Sequence, residues 1–477
     1  THKRTTPDAK PTHRRRTTTH HLAKMLLNAT AWQAVGPTLR YPEAALPIAS
    51  RPSTGICFSG GGTRAYTAAM GQLAALLQLG LLDDLQYITG ISGGSWATAA
   101  YSYAQIGEPG VAANDSVLLG PLLPPESLSA TTLSMMNDKC ARRAATRFFS
   151  AFHAARLANM SSNPSLTNEV LPALLHEWML RPVGIPARSR FSWDGPTAEA
   201  IRRRNPALSA AERFVLPPAG RSYPIIGTAL LGPSRLAPLS ISRRADETTM
   251  LEVTPLYVGQ AATTRNHSYW PASRPEEVVA AVGGLIEPFA FGCDAPAAGL
   301  AAGEGQRVLS GVPCPTDAAF AIEDAIAASG WFPGEGLSVV GLEGLSLSPL
   351  LGLRYPYWSP ATPTPAAEPY LFADGGDLEN VHLIGLLKRR VRSIVVFFNS
   401  EQPLHSTAAW TPSVDEPTSE LINDDLPPFF GVKSVPISLD EKFEKGAATA
   451  GSRGKGVAGI RMKRQGWGGS KGLRGCG

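Results

Sequence analysis

Three short runs in this chain hold residue types and spacings able to support nucleophilic chemistry. The first is Gly90-Ile91-Ser92-Gly93-Gly94, a G-x-S-x-G pentapeptide. Between a strand and a helix such a turn is tight and its serine backbone strained, and flanking side chains would clash, which is why glycine is required. It lifts the Ser92 hydroxyl to a helix N-terminus, where the dipole favours developing negative charge. The second run is Gly60-Gly61-Gly62. Three consecutive flexible residues leave backbone N–H groups free to point at a ligand oxygen, as an oxyanion hole needs. The third is Asp374-Gly375-Gly376, a carboxylate at a sharp turn that can take the serine proton, given hydrogen-bond reach. Each run also has a plainer reading as a simple βα turn or a turn-capping Asp-Gly. Gly60 to Ala65 satisfies G-x-G-x-x-A as well, but dinucleotide binding needs an acidic residue ending the next strand. Asp83 and Asp84 come before that strand and Ser92 stands at its far end, so the dinucleotide reading is disfavoured.

The elements around these runs agree with one another. Ile56 to Ser59 is a short apolar run entering the glycine turn, and reads as a buried strand. Thr63 to Leu79 carries a helical stripe of Tyr66, Met70, Leu73, Ala74 and Leu77, with Gly80 as C-cap. Gln86 to Ile91 reads as a second strand and Gly93 to Ile106 as a second helix. The order is that of a βαβα unit with a parallel sheet and right-handed crossover. Both sharp turns then lie at carboxyl ends of neighbouring strands, where open α/β sheets place ligands. Near Asp374, Tyr370–Ala373 reads as a strand, Val381–Arg390 as a helix and Ser393–Phe398 as a buried strand, a second βαβ segment.

Across the 477 residues, 43% are hydrophobic, enough for a sizeable core, while only 17% are charged. With 47 glycines and 41 prolines the chain is loop-rich and no coiled coil. The net charge of +5 mildly favours anionic partners, and no nucleic-acid partner is expected. Cys57, Cys140, Cys293, Cys314 and Cys476 form no metal-ligand spacing and argue against a disulfide-built scaffold. No apolar stretch nears the ~18 residues of a membrane span. Sequons stand at Asn28, Asn114, Asn159 and Asn266, but a cytoplasmic or peripheral membrane location is favoured over secretion.

The expected fold is α/β, a three-layer α/β/α arrangement with a mainly parallel central sheet, a nucleophile elbow and a long cap insertion. Residues 1–50 read as a basic, weakly structured lead-in with a short helix pattern around Leu22–Leu27. Residues 51–448 read as the catalytic domain, with a cap-like insertion at about 107–350, and 449–477 as a basic Gly-rich disordered tail. Within the insertion, helical pieces are expected at Arg142–Leu157 and Val170–Leu180, and a short apolar run at Tyr223–Leu231. Arg142, Arg143 and Arg147 with Phe148, Phe149 and Phe152 make a basic aromatic helix, either touching a membrane or packing as a lid.

Ser59-Gly60-Gly61-Gly62-Thr63-Arg64-Ala65, Gly90 to Trp96 and Asp374-Gly375-Gly376 resemble the catalytic domain of cytosolic (group IV) phospholipases A2 and fungal lysophospholipases, and more distantly patatin. Leu251-Glu252-Val253-Thr254-Pro255 and Glu287 to Gly292 are further similar segments. The resemblance covers roughly 50–445 and implies a Ser–Asp dyad that cleaves fatty-acyl esters of phospholipids or lysophospholipids at a membrane or micelle surface. It implies Ser92 as nucleophile and Asp374 as base. Gly61 and Gly62 would supply the oxyanion hole, and Arg64, with Gly60 and Gly93, would bind substrate, the arginine at its phosphate. The lead-in is too short for that family's calcium-binding C2 domain, so catalysis independent of calcium, with no cofactor or metal, is expected. Two rivals stand beside this reading. One is a Ser-His-Asp hydrolase using His382 or His405, although His382 reads more simply as a helix-surface histidine. The other is a lipid-binding protein without catalysis.

Overall fold

The computed structural model describes residues 24–33, 41–106, 114–127, 167–208, 214–236, 248–269, 278–301, 304–316, 320–331 and 353–399, with 129, 131, 132, 135, 136 and 429 besides. The expected helix at Arg142–Leu157, His405 and the tail lie outside the described residues.

The chain opens with β1 (Lys24–Trp32), two 3₁₀ turns (Pro42–Ala45 and Pro47–Ser50), β2 (Thr54–Phe58), α1 (Gly62–Gln78), β3 (Tyr87–Ile91) and α2 (Gly93–Ser102). Then come α3 (Asp115–Leu119), α4 (Thr167–Leu175, continued by a π-turn to Leu180), β4 (Arg190–Phe191), α5 (Gly195–Arg204) and β5 (Phe214–Val215). β6 (Tyr223–Pro233), β7 (Thr249–Val253), β8 (Val258–Tyr269), β9 (Val278–Ile286) and β10 (Gln306–Pro315) follow. The last described elements are α6 (Ile322–Ser329), β11 (Leu353–Tyr357), β12 (Glu368–Ala373), α7 (Leu383–Lys388) and β13 (Ser393–Phe397).

One sheet organises nearly all of this, in the order β10-β1-β9-β8-β7-β6-β3-β2-β13, with β12 also on β6 and β11 on β12. β13, β2, β3 and β6 run parallel, and the remaining pairs are antiparallel. Alternation along the parallel strands divides the core. Ile56, Phe58 and Ile88 face Tyr66 of α1, Trp96 of α2 and Ile326 of α6, whereas Cys57, Tyr87 and Ile225 face Tyr41, Ile48 and Leu386 of α7. Helical cover on both faces makes the three layers expected of the α/β class.

Four expectations change. The apolar run at Leu22–Leu27 does not start a helix: Lys24–Trp32 is a strand paired with β10 and β9. Pairing on both sides buries Leu27, Ala29, Thr30 and Ala31, and these strand contacts override the short helical pattern. The stretch 107–350 is no separate cap, because β6 to β10 lie within it and extend the main sheet. Asp374 does not follow a parallel strand, since β12 runs antiparallel to β6. Finally, β13 is an edge strand among the described residues, with Val395 47% exposed, rather than a buried one. One disulfide, Cys293–Cys314, ties β10 to the segment after β9, and Cys57 is free and buried.

A buried charge cluster joins the first 3₁₀ turn, β7 and the end of α7. The Arg389 guanidinium donates to Glu43 at 2.7 Å and to Glu252 at 2.7 and 3.0 Å, and stacks over the Tyr41 ring at 3.8 Å. All three charged side chains are at most 7% exposed. Burial would raise the Glu252 carboxyl, but Arg389 outweighs it and holds the group down to about 2. Burial prevails at Glu43, whose carboxyl is raised, because one guanidinium serves two carboxylates. Breaking a buried pair from one side strands a charge, at a cost of about 3–5 kcal/mol. Arg389→Met is therefore expected to lower unfolding stability by that order, measured as a drop in urea midpoint with an unchanged slope.

Candidate active site

β2 and β3 are parallel, with Phe58 opposite Gly90. Two residues further on, each chain turns sharply, so Gly60 lies beside Ser92. A methyl group on Gly60 would sit 3.1 Å from Ser92 Cβ. The contact is tighter still one residue later. A methyl group on Gly93 would lie 1.9 Å from the Gly62 carbonyl oxygen, and one on Gly94 2.3 Å from the Phe58 carbonyl oxygen. The two glycine turns thus touch backbone to backbone, and no side chain fits between them.

Ser92 is the N-cap of α2 with φ 51° and ψ −125°. That is a left-handed φ for a residue with a side chain, a strained state found where surrounding structure over-determines it. α2 is buried along its whole length, which leaves the elbow little freedom. Ser92 itself is 6% exposed. Gly61 (φ 133°) caps α1 and Gly62 (φ 63°) begins it. First-turn N–H groups have no intrahelical acceptor, so this end of α1 presents donors toward the neighbouring turn. Arg64 stands in the same first turn and is exposed.

Asp374 reaches the same place from the opposite direction. Ile91 of β3 pairs with Gly227 and Ala373 of β12 with Ala229, and β7 occupies the other edge of β6. β3 and β12 therefore lie end to end along one edge of β6, two residues apart, or about 7 Å. Ser92 and Asp374 are the next residue of each strand, both at the level of Thr228 in the register. Thr228 Oγ1 fixes the end of β12 by donating to the Ala373 carbonyl at 3.1 Å. Asp374, 6% exposed, accepts from the Gly376 N–H at 2.9 Å.

Asn380, which sequence reasoning passed over, links the two halves. The Gly60 N–H donates to its carbonyl at 2.9 Å and to its side-chain oxygen at 3.1 Å. The same Oδ1 is 3.1 Å from where a Gly376 methyl group would be. The one sequence signal was an amide six residues past Asp374, hidden in a turn-rich stretch. The two further segments singled out by sequence prove structural. Glu252 belongs to the Arg389 cluster, and Glu287 accepts from Arg204 at 2.6 and 2.7 Å and from the Thr30 N–H at 2.5 Å.

His382 is not on a helix surface. It is 1% exposed, precedes α7 in a left-handed conformation and shares a 2.7 Å hydrogen bond with Thr89 Oγ1 through Nδ1. Its ring is wedged against Gly227 and Gly385, where added methyl groups would come within 2.8 and 2.6 Å. A buried, turn-bound ring escapes a periodicity argument because α7 begins only after it.

No protein-family model matches the chain. Short stretches are similar to curated proteins: 56% identity over 48 residues to human cytosolic phospholipase A2 beta, 46% over 71 to human cytosolic phospholipase A2 delta, and 36% over 87 to lysophospholipase 2 of Candida albicans. The resemblance is to cytosolic phospholipases A2 and a fungal lysophospholipase. Those stretches amount to 10%, 15% and 17% of this chain, and span only 6%, 8% and 13% of the relatives' lengths. Among solved structures, human GIVD cytosolic phospholipase A2 aligns at 17% identity over 72% of this chain and 42% of its own, with a TM-score of 0.38. Among the described residues, no helix is long and apolar enough to cross a membrane.

Burial lowers His382 to about 4, against the pull of the Glu252 carboxylate. The unfolded chain then binds a proton that the folded one refuses between pH 6.5 and 4, so stability falls as pH drops through that window. The full difference is roughly 3 kcal/mol. His382→Gln is expected to flatten this part of the pH dependence, measured by urea unfolding at pH 7, 5.5 and 4.5.

Proposed function

We propose that the protein is a carboxylic ester hydrolase that cleaves fatty-acyl esters of glycerophospholipids or lysophospholipids through an acyl-Ser92 intermediate. One observation carries this reading: β3 and β12 end two residues apart on one edge of β6, and Ser92 and Asp374 are the residues that follow them. In this scheme Ser92 Oγ attacks the acyl carbonyl and Asp374 accepts its proton. The carbonyl oxygen becomes an oxyanion, bound by N–H groups of Gly61 and Gly62 at the positive end of α1. Collapse expels the glycerol-side alkoxide, which takes the proton back from Asp374. Water then attacks the acyl-serine, giving its proton to Asp374, and fatty acid leaves as Ser92 regains its hydrogen. Gly60 and Gly93 shape the substrate approach by having no side chains. The similarity to cytosolic phospholipases A2 and a lysophospholipase supports a lipid ester as substrate.

The dyad is favoured over a histidine triad by the surroundings of His382. Its ring is committed to Thr89 and to contacts with Gly227 and Gly385, and burial disfavours the protonated form a triad base must take up. The proposed catalytic domain takes in β1 and the two 3₁₀ turns before residue 51, since β1 pairs with β10 and β9 and Glu43 binds Arg389.

Nucleophile and base act as a unit, so losing either removes most of the rate. Ser92→Ala and Asp374→Ala are each expected to lower turnover of defined phosphatidylcholine and lysophosphatidylcholine by ~10⁴–10⁶, while His382→Gln keeps activity within tenfold. Product analysis by mass spectrometry reads the outcome, and loss of activity in folded His382→Gln would favour the triad.

Arg64 distinguishes the kind of ester. Arg64 is exposed at the start of α1, and a guanidinium grips phosphate through two parallel hydrogen bonds. Arg64→Ala is expected to cut kcat/KM on phospholipid by roughly 10–100-fold and to change a p-nitrophenyl acyl ester little. Arg64→Lys should recover only part. Equal losses on both substrates would assign Arg64 a structural role.

A further inference from the structure

α6 ends against the nucleophile elbow. The backbone N–H of Ser92 donates to Ser329 Oγ at 3.0 Å, and the Ser329 hydroxyl donates onward to the Gly227 carbonyl of β6 at 2.6 Å. Ser329 has no exposed surface, and Ser92 and Gly227 are buried with it. We infer that Ser329 is a positioning residue for the nucleophile, bridging the strained elbow to β6, the strand whose edge β3 and β12 share. The inference rests on the reading of Ser92 as nucleophile.

Three features support it. A buried N–H at a helix start needs an acceptor, and this one has found a side chain from a distant helix rather than a local cap. With φ 51° Ser92 holds a backbone state that persists only under outside constraint, and the Ser329 bridge acts on the very peptide that is strained. Ser329 is itself firmly held. Trp96 of α2 donates from its indole to the Ile326 carbonyl at 3.0 Å, and a methyl group on Gly330 would meet that indole nitrogen at 2.6 Å. At the other end of α6, Asp324 accepts from the Ala321 N–H at 2.8 Å, from Arg188 at 2.6 Å and from the Tyr355 hydroxyl at 3.0 Å. The bridge has a chemical consequence. The Ser92 N–H is occupied and cannot serve the oxyanion, so the donors there must come from neighbouring glycines.

Removing the hydroxyl takes its acceptor from the Ser92 N–H and one donor from the Gly227 carbonyl, and the elbow relaxes. A shift of about 1 Å in a reacting atom costs on the order of 10²-fold in rate. Ser329→Ala is therefore expected to lower kcat on a p-nitrophenyl acyl ester by roughly 10–100-fold with KM unchanged. Labelling of Ser92 by a fluorophosphonate should slow in parallel. Ser329→Cys, whose thiol donates and accepts weakly, should fall between alanine and wild type. Hydrogen exchange of a peptide spanning Ser92 is read as well, and should accelerate in Ser329→Ala while β7–β10 peptides do not change. A folded alanine variant with wild-type kcat, a loss confined to KM, or unchanged exchange at the elbow would each overturn the inference. If the alanine variant does not fold, a cysteine variant turning over at the wild-type rate overturns it. Wild-type protein that is not labelled at Ser92, with exchange still accelerated in Ser329→Ala, would instead overturn the catalytic reading and leave Ser329 bracing a silent turn.

Discussion

Among the described glycines the tightest site is Gly93, where a Cβ atom would lie 1.9 Å from the Gly62 carbonyl oxygen, so the two turns meet backbone to backbone. Much else follows from that contact. The turns after β2 and β3 touch only because the strands are parallel, in register and adjacent. α1 and α2 must then start side by side, with their donor-bearing ends in one place. Packing two helix N-termini together concentrates positive partial charge, which an incoming or developing anion relieves. The geometry is thus biased toward anion stabilisation before any side chain is considered.

β6 acts as the ruler for the remaining chemistry. It takes β3 on one edge for five residues, then β12 from the opposite direction on the same edge, with β7 along the other. A parallel strand ending and an antiparallel strand arriving produce a gap in the sheet about two residues long. Such a break leaves strand ends, with their following residues, pointing into one space. Asn380 and Ser329 close that space from two sides, one through Gly60 and the other through the Ser92 peptide. Rigidity at these turns therefore comes from hydrogen bonds to backbone.

Asp374 and the exposed Arg64 aside, buried charge is used where layers meet. Arg389 with Glu43 and Glu252 joins the first 3₁₀ turn, β7 and α7, and Asp324 with Arg188 and Tyr355 secures the start of α6. Buried pairs of this type add little net stability over apolar packing, but they penalise any arrangement that parts them. They act here as registry pins between segments far apart in the chain. His382 lies between the first cluster and the strands, neutral and wedged by glycines on two sides.

Glycine pattern and helical stripe were enough to read the β2–α1–β3–α2 unit from the sequence, because its pairing is local and its turns are sterically forced. Gly60 to Gly62, Ser92, Gly93 and the strand before Asp374 were legible for the same reason: only glycine fits such turns, and a period of two or 3.6 residues is written in a few positions. What lay beyond local reading was partner choice. Nothing within Tyr370–Ala373 states that it will run antiparallel on β6, and nothing within Lys24–Trp32 states that β10 and β9 will flank it, for the alternation of a strand is the same whichever neighbour it takes. Burial of Glu252, Glu287 and His382 was equally hidden, since a charged or polar residue declares its partner only when a distant chain segment arrives. Tertiary structure alone made Ser329 and Asn380 part of the site. Each acts through hydrogen bonds across more than two hundred residues of sequence, and no composition, spacing or period encodes a contact at that range.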